Sequence, residues 1–188
     1  MRHGSPITAG PAYRPFPDEG GRNWRQEHLE IPLMLRALGV PRGGRVLEVG
    51  CGRGIALPVL ARRIAPAHLA GVDVDAELIG IAKHHVRDSA VRADLTVADV
   101  RALPFPDRHF DVVIDFGTCF HLAGAEAALR EIARVITPGG IFVTEMKLGQ
   151  LLSHPMRSRG RSLPWDAVPM LVPLRSAFLW ESRRRVAL

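Results

Sequence analysis

Apolar positions along this 188-residue chain follow two rhythms that alternate from about residue 23 to residue 147. Short runs of nearly continuous apolar character begin at Arg45 and recur at residues 68–73 (HLAGVD), 93–98 (ADLTVA), 110–116 (FDVVIDF) and 141–146 (IFVTEM). Each is too short for a buried helix and reads as a strand. Between them lie stretches with apolar residues at three- and four-residue steps: 55–64, 76–87 and 124–136. Asp75 is placed to cap the second of these helices, and Thr137-Pro138-Gly139-Gly140 to stop the third. Strands apolar throughout, alternating with helices, describe an α/β protein with a parallel sheet covered on both faces.

An earlier helix is expected over 23–38, with Trp24, His28, Ile31, Leu35 and Leu38 as its apolar stripe and Gly39 as its stop. Pro32 marks a kink or a break into two shorter helices. Residues 1–22 are rich in Pro and Gly and read as a flexible arm. The core is expected to occupy 23–148, and a basic, Pro-rich segment, 149–188, to complete the same domain. Within it, residues 176–182 (SAFLWES) form a candidate sixth strand. With only six residues left after them, a shortened C-terminal end is expected.

The stretch VLEVGCGRG, residues 46–54, organises the chain. A strand end leads into Glu48, Gly50, Gly52 and Gly54 on alternate positions, and a helix follows at once. Glycine permits a sharp turn and lets a ligand lie against the backbone. The free N–H groups of the following helix start favour electronegative atoms. The dinucleotide pattern G-x-G-x-x-G requires a third glycine at position 55, which is Ile55. Acids end or follow the next three strands: Asp73, Asp99 and Asp115. In an open parallel sheet these ends converge on the ligand site. Asp73 lies 23 positions after Gly50, near the spacing at which an acid accepts from ribose hydroxyls.

The formal charge of +6 changes the picture only at the C-terminus. Up to Met146 the 17 basic and 17 acidic residues cancel; from Lys147 onward there are 8 basic and 2 acidic, so the excess lies there. Such a tail either solubilises or attracts an anionic partner. The two cysteines, Cys51 and Cys119, form no framework and fit a reducing compartment as buried fillers. No metal-ligand cluster and no run long enough to span a bilayer is seen, so a cytoplasmic protein without a metal is expected.

The pattern E-x-G-x-G-x-G, followed by GVDVD, ADVRALPFPDRHFDVVID and RVITPGGIFVTE in that order, resembles the small-molecule class I S-adenosylmethionine-dependent methyltransferases over most of 45–147. The resemblance implies a Rossmann-like doubly wound, three-layer αβα fold and S-adenosyl-L-methionine as cofactor, with S-adenosyl-L-homocysteine as product. It places Glu48, Gly50, Cys51, Gly52 and Gly54 in the cofactor turn, Asp73 on the ribose, and Val74, Asp99 and Val100 around the adenine. Asp115 and Phe116 would border the sulfonium. Phe120 and His121 would face the substrate side. Where the resemblance is silent, the first helix, expected to pack over the ligand pocket, adds Trp24 and His28 as candidate substrate-side residues. The Asn/Asp-Pro-Pro-aromatic tetrad of amino-group nucleic-acid methyltransferases is absent, its place reading Asp115-Phe116-Gly117-Thr118.

The expected activity is in-line methyl transfer to a small, hydrophobic acceptor. His121 is a candidate auxiliary base or, equally, a structural residue of the strand-to-helix junction. Two other readings stay open: a cofactor-binding protein or partner subunit without transferase activity, and an RNA methyltransferase recruited by the basic tail. A homodimer is compatible with each.

Overall fold

A computed structural model describes residues 20, 23–24, 26–37, 39–122, 125–147 and 178–184. The expected arm, apart from Gly20, and the C-terminal segment, apart from 178–184, lie outside the described residues, as does Leu38 of the expected stripe.

The strands are β1 (Arg45–Val49), β2 (His68–Asp73), β3 (Asp94–Val97), β4 (Phe110–Asp115), β5 (Ile136–Lys147) and β6 (Phe178–Arg184). They form one sheet in the order β3-β2-β1-β4-β5-β6. The first five are parallel, and β6 runs antiparallel to β5. The expected five-stranded parallel sheet is therefore present. Among the described residues one antiparallel strand follows it, two residues later than the candidate range. β1 pairs with both β2 and β4, with Leu47 opposite Ala70 on one side and Val113 on the other. The chain leaves β1 in one direction, returns to its other side at β4, and so creates the crevice where ligands of such sheets sit.

The helices are α1 (Ile31–Ala37), α2 (Ala56–Ile64), α3 (Ala76–Asp88), α4 (Thr118–His121) and α5 (Ala125–Val135). Two apolar layers form because successive strand residues point to opposite faces. Val46, Val112, Ile114 and Val143 pack beneath Ile31, Leu57, Leu60 and Ile79 of α1, α2 and α3. Leu47, Val49, Val113 and Phe142 pack beneath Ala128, Ile132 and Val135 of α5. Asp75 caps α3 as expected, accepting from the amides of Glu77 at 2.8 Å and Leu78 at 3.3 Å.

Two local expectations are corrected. The first helix is not regular. A π-helical turn, Gln26–Glu30, runs directly into α1, so the break expected at Pro32 takes the form of a change from π to α winding at Ile31, one residue earlier. The wider π turn shifts the helical phase. Ile31 and Leu35 are buried as the stripe requires, while Trp24 is 57% exposed and His28 is also exposed. The second correction is at β5, which begins at Ile136 rather than Ile141. Phe110 pairs with Ile136 and Val112 with Ile141, so residues 137–140 bulge from the ladder. Gly139 takes φ +78° there, and Thr137 Oγ1 donates to Asp111 Oδ1 at 3.3 Å.

The segment LPFPD is held by one cation. Arg134 of α5 donates to the carbonyls of Leu103 (2.9 Å) and Phe105 (2.8 Å) and to Asp107 (2.8 Å). It also pairs with Glu131, which accepts from the Leu103 amide at 2.8 Å. Leu103 is buried, and the Phe105 ring meets Phe110 edge-on at 4.9 Å. This residue set fixes the connection from β3 to β4 and hence the position of Asp99. Arg134→Ala is expected to destabilise the fold by about 1–2 kcal/mol, the scale of losing charge-assisted bonds at a partly exposed site. Urea unfolding should show a lower midpoint with an unchanged slope.

Candidate functional site

The turn after β1 runs where side chains do not fit. A Cβ on Gly50, at φ +64°, would stand 1.8 Å from Thr118 Oγ1, and one on Gly54 would stand 3.0 Å from the Ala82 Cβ of α3. Gly52 differs: at φ +51°, a Cβ there would meet nothing within 4 Å. Its bareness leaves open space rather than relieving a clash. The turn is pinned by the Cys51 amide on the Val72 carbonyl (2.9 Å) and the Gly52 amide on Asp73 Oδ2 (2.8 Å). Cys51 is buried, and burial pushes its thiol far above the usual range, so it acts as filler.

Two depressions meet at Gly50. The larger, of about 240 Å³, is lined by Glu48, Gly50, Cys51, Gly52, Arg53, Ile55, Ala56, Leu78 and Phe116, with Asn23, Gln26 and Ile31 from the N-terminal segment. The smaller is lined by Gly50, Asp73, Val74, Ala98, Asp99, Val100, Arg101, Thr118 and Leu122. All the residues expected around ribose and adenine therefore come together, and Val74 is 51% exposed there. The side chain of Val100 belongs to the apolar layer beneath α5.

The acids have distinct environments. Glu48 is buried, and its Oε2 has no hydrogen-bond partner. Burial, with the negative charges of Asp73 and Asp115 nearby, holds its carboxyl well above the usual carboxylate range. Asp73 accepts from the amides of Gly52 and Asp75, one at each oxygen. That leaves lone pairs on both oxygens. Asp99 is held below the usual range by hydrogen bonds from the Arg101 side chain. Asp115 is fully buried and lines neither depression. It accepts from the amides of Thr118 (2.6 Å) and Cys119 (3.2 Å) and from Thr144 Oγ1 (3.1 Å). Its carboxyl is raised by burial and lowered in part by these bonds. It organises the start of α4, and Phe116 lines the larger cleft beside it.

Phe120 and His121 lie in α4, and their side chains lie outside the described residues. Trp24 and His28 do not line the cleft; their rings stack on each other at 5.0 Å, and His28 Nδ1 lies 2.9 Å from the Trp24 carbonyl. Asn23 and Gln26 line it instead. The three- and four-residue stripe misses them because the π turn alters the phase. Thr118 and Leu122 were equally hidden: nothing in a local pattern brings the residues after β4 against the turn after β1.

An open parallel sheet with a glycine turn after its first strand and acids after the next two defines a nucleoside-binding α/β protein. The chain belongs to the methyltransferase domain family, which matches residues 47–144, and S-adenosylmethionine is the cofactor of that family's class I fold. It is similar to the fatty-acid O-methyltransferase of Mycolicibacterium smegmatis, with 37% identity over 101 residues, 54% of this chain and 36% of that one. It is similar also to the phosphatidylethanolamine N-methyltransferase of Cereibacter sphaeroides, with 34% identity over 63% of this chain and 55% of the relative. The chain thus spans about a third to a half of these relatives' lengths. Its fold matches the crystal structure of an S-adenosylmethionine-dependent methyltransferase from Aquifex aeolicus, with a TM-score of 0.68, 19% identity, and 85% and 91% of the two chains covered.

The residues present fit this cofactor. The buried, unpartnered Oε2 of Glu48 suits an ammonium group, the open space at Gly52 suits a close backbone approach, and Asp73 keeps acceptor capacity for hydroxyls. The raised carboxyl of Glu48 has a consequence for stability. A folded state that binds the proton more tightly than the unfolded chain loses stability as pH rises from the ordinary 4.5 through the raised folded value. Urea unfolding across pH 4.5 to 8 should therefore show a shallower decline for Glu48→Gln than for the wild type, the residual slope combining a decline from Asp115 with an opposing rise from His109, which burial holds below its ordinary value. Parallel curves would exclude Glu48 as its source.

Proposed function

We propose that the chain is an S-adenosylmethionine-dependent methyltransferase acting on a small, hydrophobic acceptor by in-line displacement. The observation that carries this reading is the pair of depressions meeting at Gly50. One offers a buried carboxyl and bare backbone, suited to an amino-acid moiety; the other offers the remaining acceptor positions of Asp73 and the exposed apolar face of Val74, suited to a ribose and the ring beside it. The likeness to a fatty-acid O-methyltransferase and a phosphatidylethanolamine N-methyltransferase supports an apolar acceptor without choosing between oxygen, nitrogen and carbon. Ile31, Ile55, Leu78 and Phe116 in the larger cleft support it too. Among the described residues no helix is long and apolar enough to cross a membrane, and we read the protein as cytoplasmic.

When bound, the cofactor supplies an already activated methyl group on a sulfonium. The protein's task is then positioning, which can lower a barrier substantially by holding reactants in line. Glu48 and the glycine turn hold one end, and Asp73 holds the ribose. The N-terminal segment adds Asn23, Gln26 and Ile31 to the cleft wall. Phe116 forms the wall at the switch point. His121 serves at most as an auxiliary base.

Two measurements test the reading. Calorimetry should show S-adenosylmethionine and S-adenosylhomocysteine binding to the wild type, with Asp73→Ala weaker by about 1.5–3 kcal/mol, the range for a hydrogen bond to a charged group. Binding of NAD in place of these ligands would overturn it. With an acceptor in hand, His121→Ala should lower the rate by less than about a hundredfold, the lower bound for an essential general base. A loss of several thousandfold, roughly, with cofactor binding intact would instead make His121 that base.

A further inference from the structure

The smaller depression contains a cation that the family resemblance does not account for. Arg101 follows Asp99 by two residues and turns back onto it. Asp99 Oδ1 accepts from the Arg101 amide at 2.8 Å and from Nε at 3.0 Å. Oδ2 accepts from the same Nε at 3.0 Å and from Nη2 at 2.5 Å. Three N–H groups thus make the four contacts, Nε being shared between both oxygens, and they take up most of the carboxylate's roughly four acceptor positions. The remaining space measures about 40 Å³. That is room for roughly three waters. In this arrangement the carboxylate placed to read the base is engaged by Arg101, which narrows the depression.

We propose that Arg101 gates the nucleobase subsite: the base enters by displacing the Arg101 guanidinium from Asp99, and the guanidinium sets how strictly an amino group is required on it. The inference rests on the cofactor reading above. The pair is suited to opening. Its side chains are 26% and 33% exposed, so a released guanidinium meets water. The backbone of the turn is independently held by the Ala102 amide on the Asp99 carbonyl at 2.9 Å, so the side chain can swing while the turn stays.

A bare carboxylate favours a 6-amino purine, which donates, and repels a 6-oxo purine, which presents an acceptor. The guanidinium inverts both preferences: it competes with the amine and donates to the oxo group. Calorimetry on the full chain would compare S-adenosylhomocysteine with its deaminated analogue, S-inosylhomocysteine. Arg101→Met is expected to bind the amino ligand about two- to fivefold more tightly, the range an exposed ion pair supplies, and the oxo ligand more weakly. Arg101→Lys, which keeps the charge without the planar fork, should fall between. Raising salt from about 0.05 to about 0.5 M should increase the preference of the wild type for the amino over the oxo ligand, because it screens the competing pair while its effect on the amino-acid moiety is common to both ligands. This last measurement needs no variant and stands if Arg101→Met fails to fold.

Shifts of both ligands in the same direction, or none, together with a salt-insensitive preference between them, would overturn the gate and leave the cofactor reading in place. Absence of S-adenosylhomocysteine binding to every form, wild type included, would overturn both.

Discussion

The amide of Gly52 donates to the carboxylate of Asp73 at 2.8 Å, and through this bond the turn after β1 is tied to the end of β2. Both partners must be where they are for the site to exist. Gly52 is held at a positive φ with open space beside it, and Asp73 keeps acceptor capacity because two amide contacts, one on each oxygen, leave about half of its acceptor positions. The neighbouring glycines serve this bond. Gly50 lets the turn pass against Thr118, and Gly54 lets it enter α2 against Ala82. A side chain at either position would push the turn out and take the Gly52 amide with it.

The same corner concentrates negative charge. Glu48 and Asp115 sit on adjacent strands, Asp73 one strand further, and the first two are removed from water. Asp115 is satisfied by two amides and a hydroxyl, whereas one oxygen of Glu48 is not satisfied at all. Such an arrangement is costly when empty and favourable around a positively charged ligand, since opposite charge nearby restores the ionised carboxylate. The two buried acids thus differ in role: Asp115 organises the start of α4, and Glu48 carries the unmet demand.

Much of this was legible in local pattern. β2 spans the same residues as its apolar run, β1 begins where expected, and Asp75 caps α3, because strand burial, helical spacing and capping are each set by neighbours within a turn or two. The glycine spacing and the acid after β2 marked the site for the same reason: a nucleoside needs those groups at those strand ends, and parallel topology fixes the ends on one edge. The LPFPD segment was recognisable as a motif, but its physical role, an anchor for Arg134, required two segments about 30 residues apart to meet.

What local pattern missed has a common cause. A π turn of five residues rotated the N-terminal stripe, so that Gln26 rather than Trp24 and His28 reached the cleft. The bulge at residues 137–140 let β5 start at Ile136, because Asp111 offered it a partner across the ladder. Arg101 sat beside Asp99 in the sequence as an ordinary loop arginine, and only the folded turn put its guanidinium on the carboxylate. The sequence by itself determined the order of strands and helices, the glycine turn and the acids at the strand ends, since these depend on periodicity and on residue type. The tertiary structure alone decided which carboxylates are open, which are spent on internal bonds and which side chains line the cleft, because those outcomes depend on partners distant in the chain.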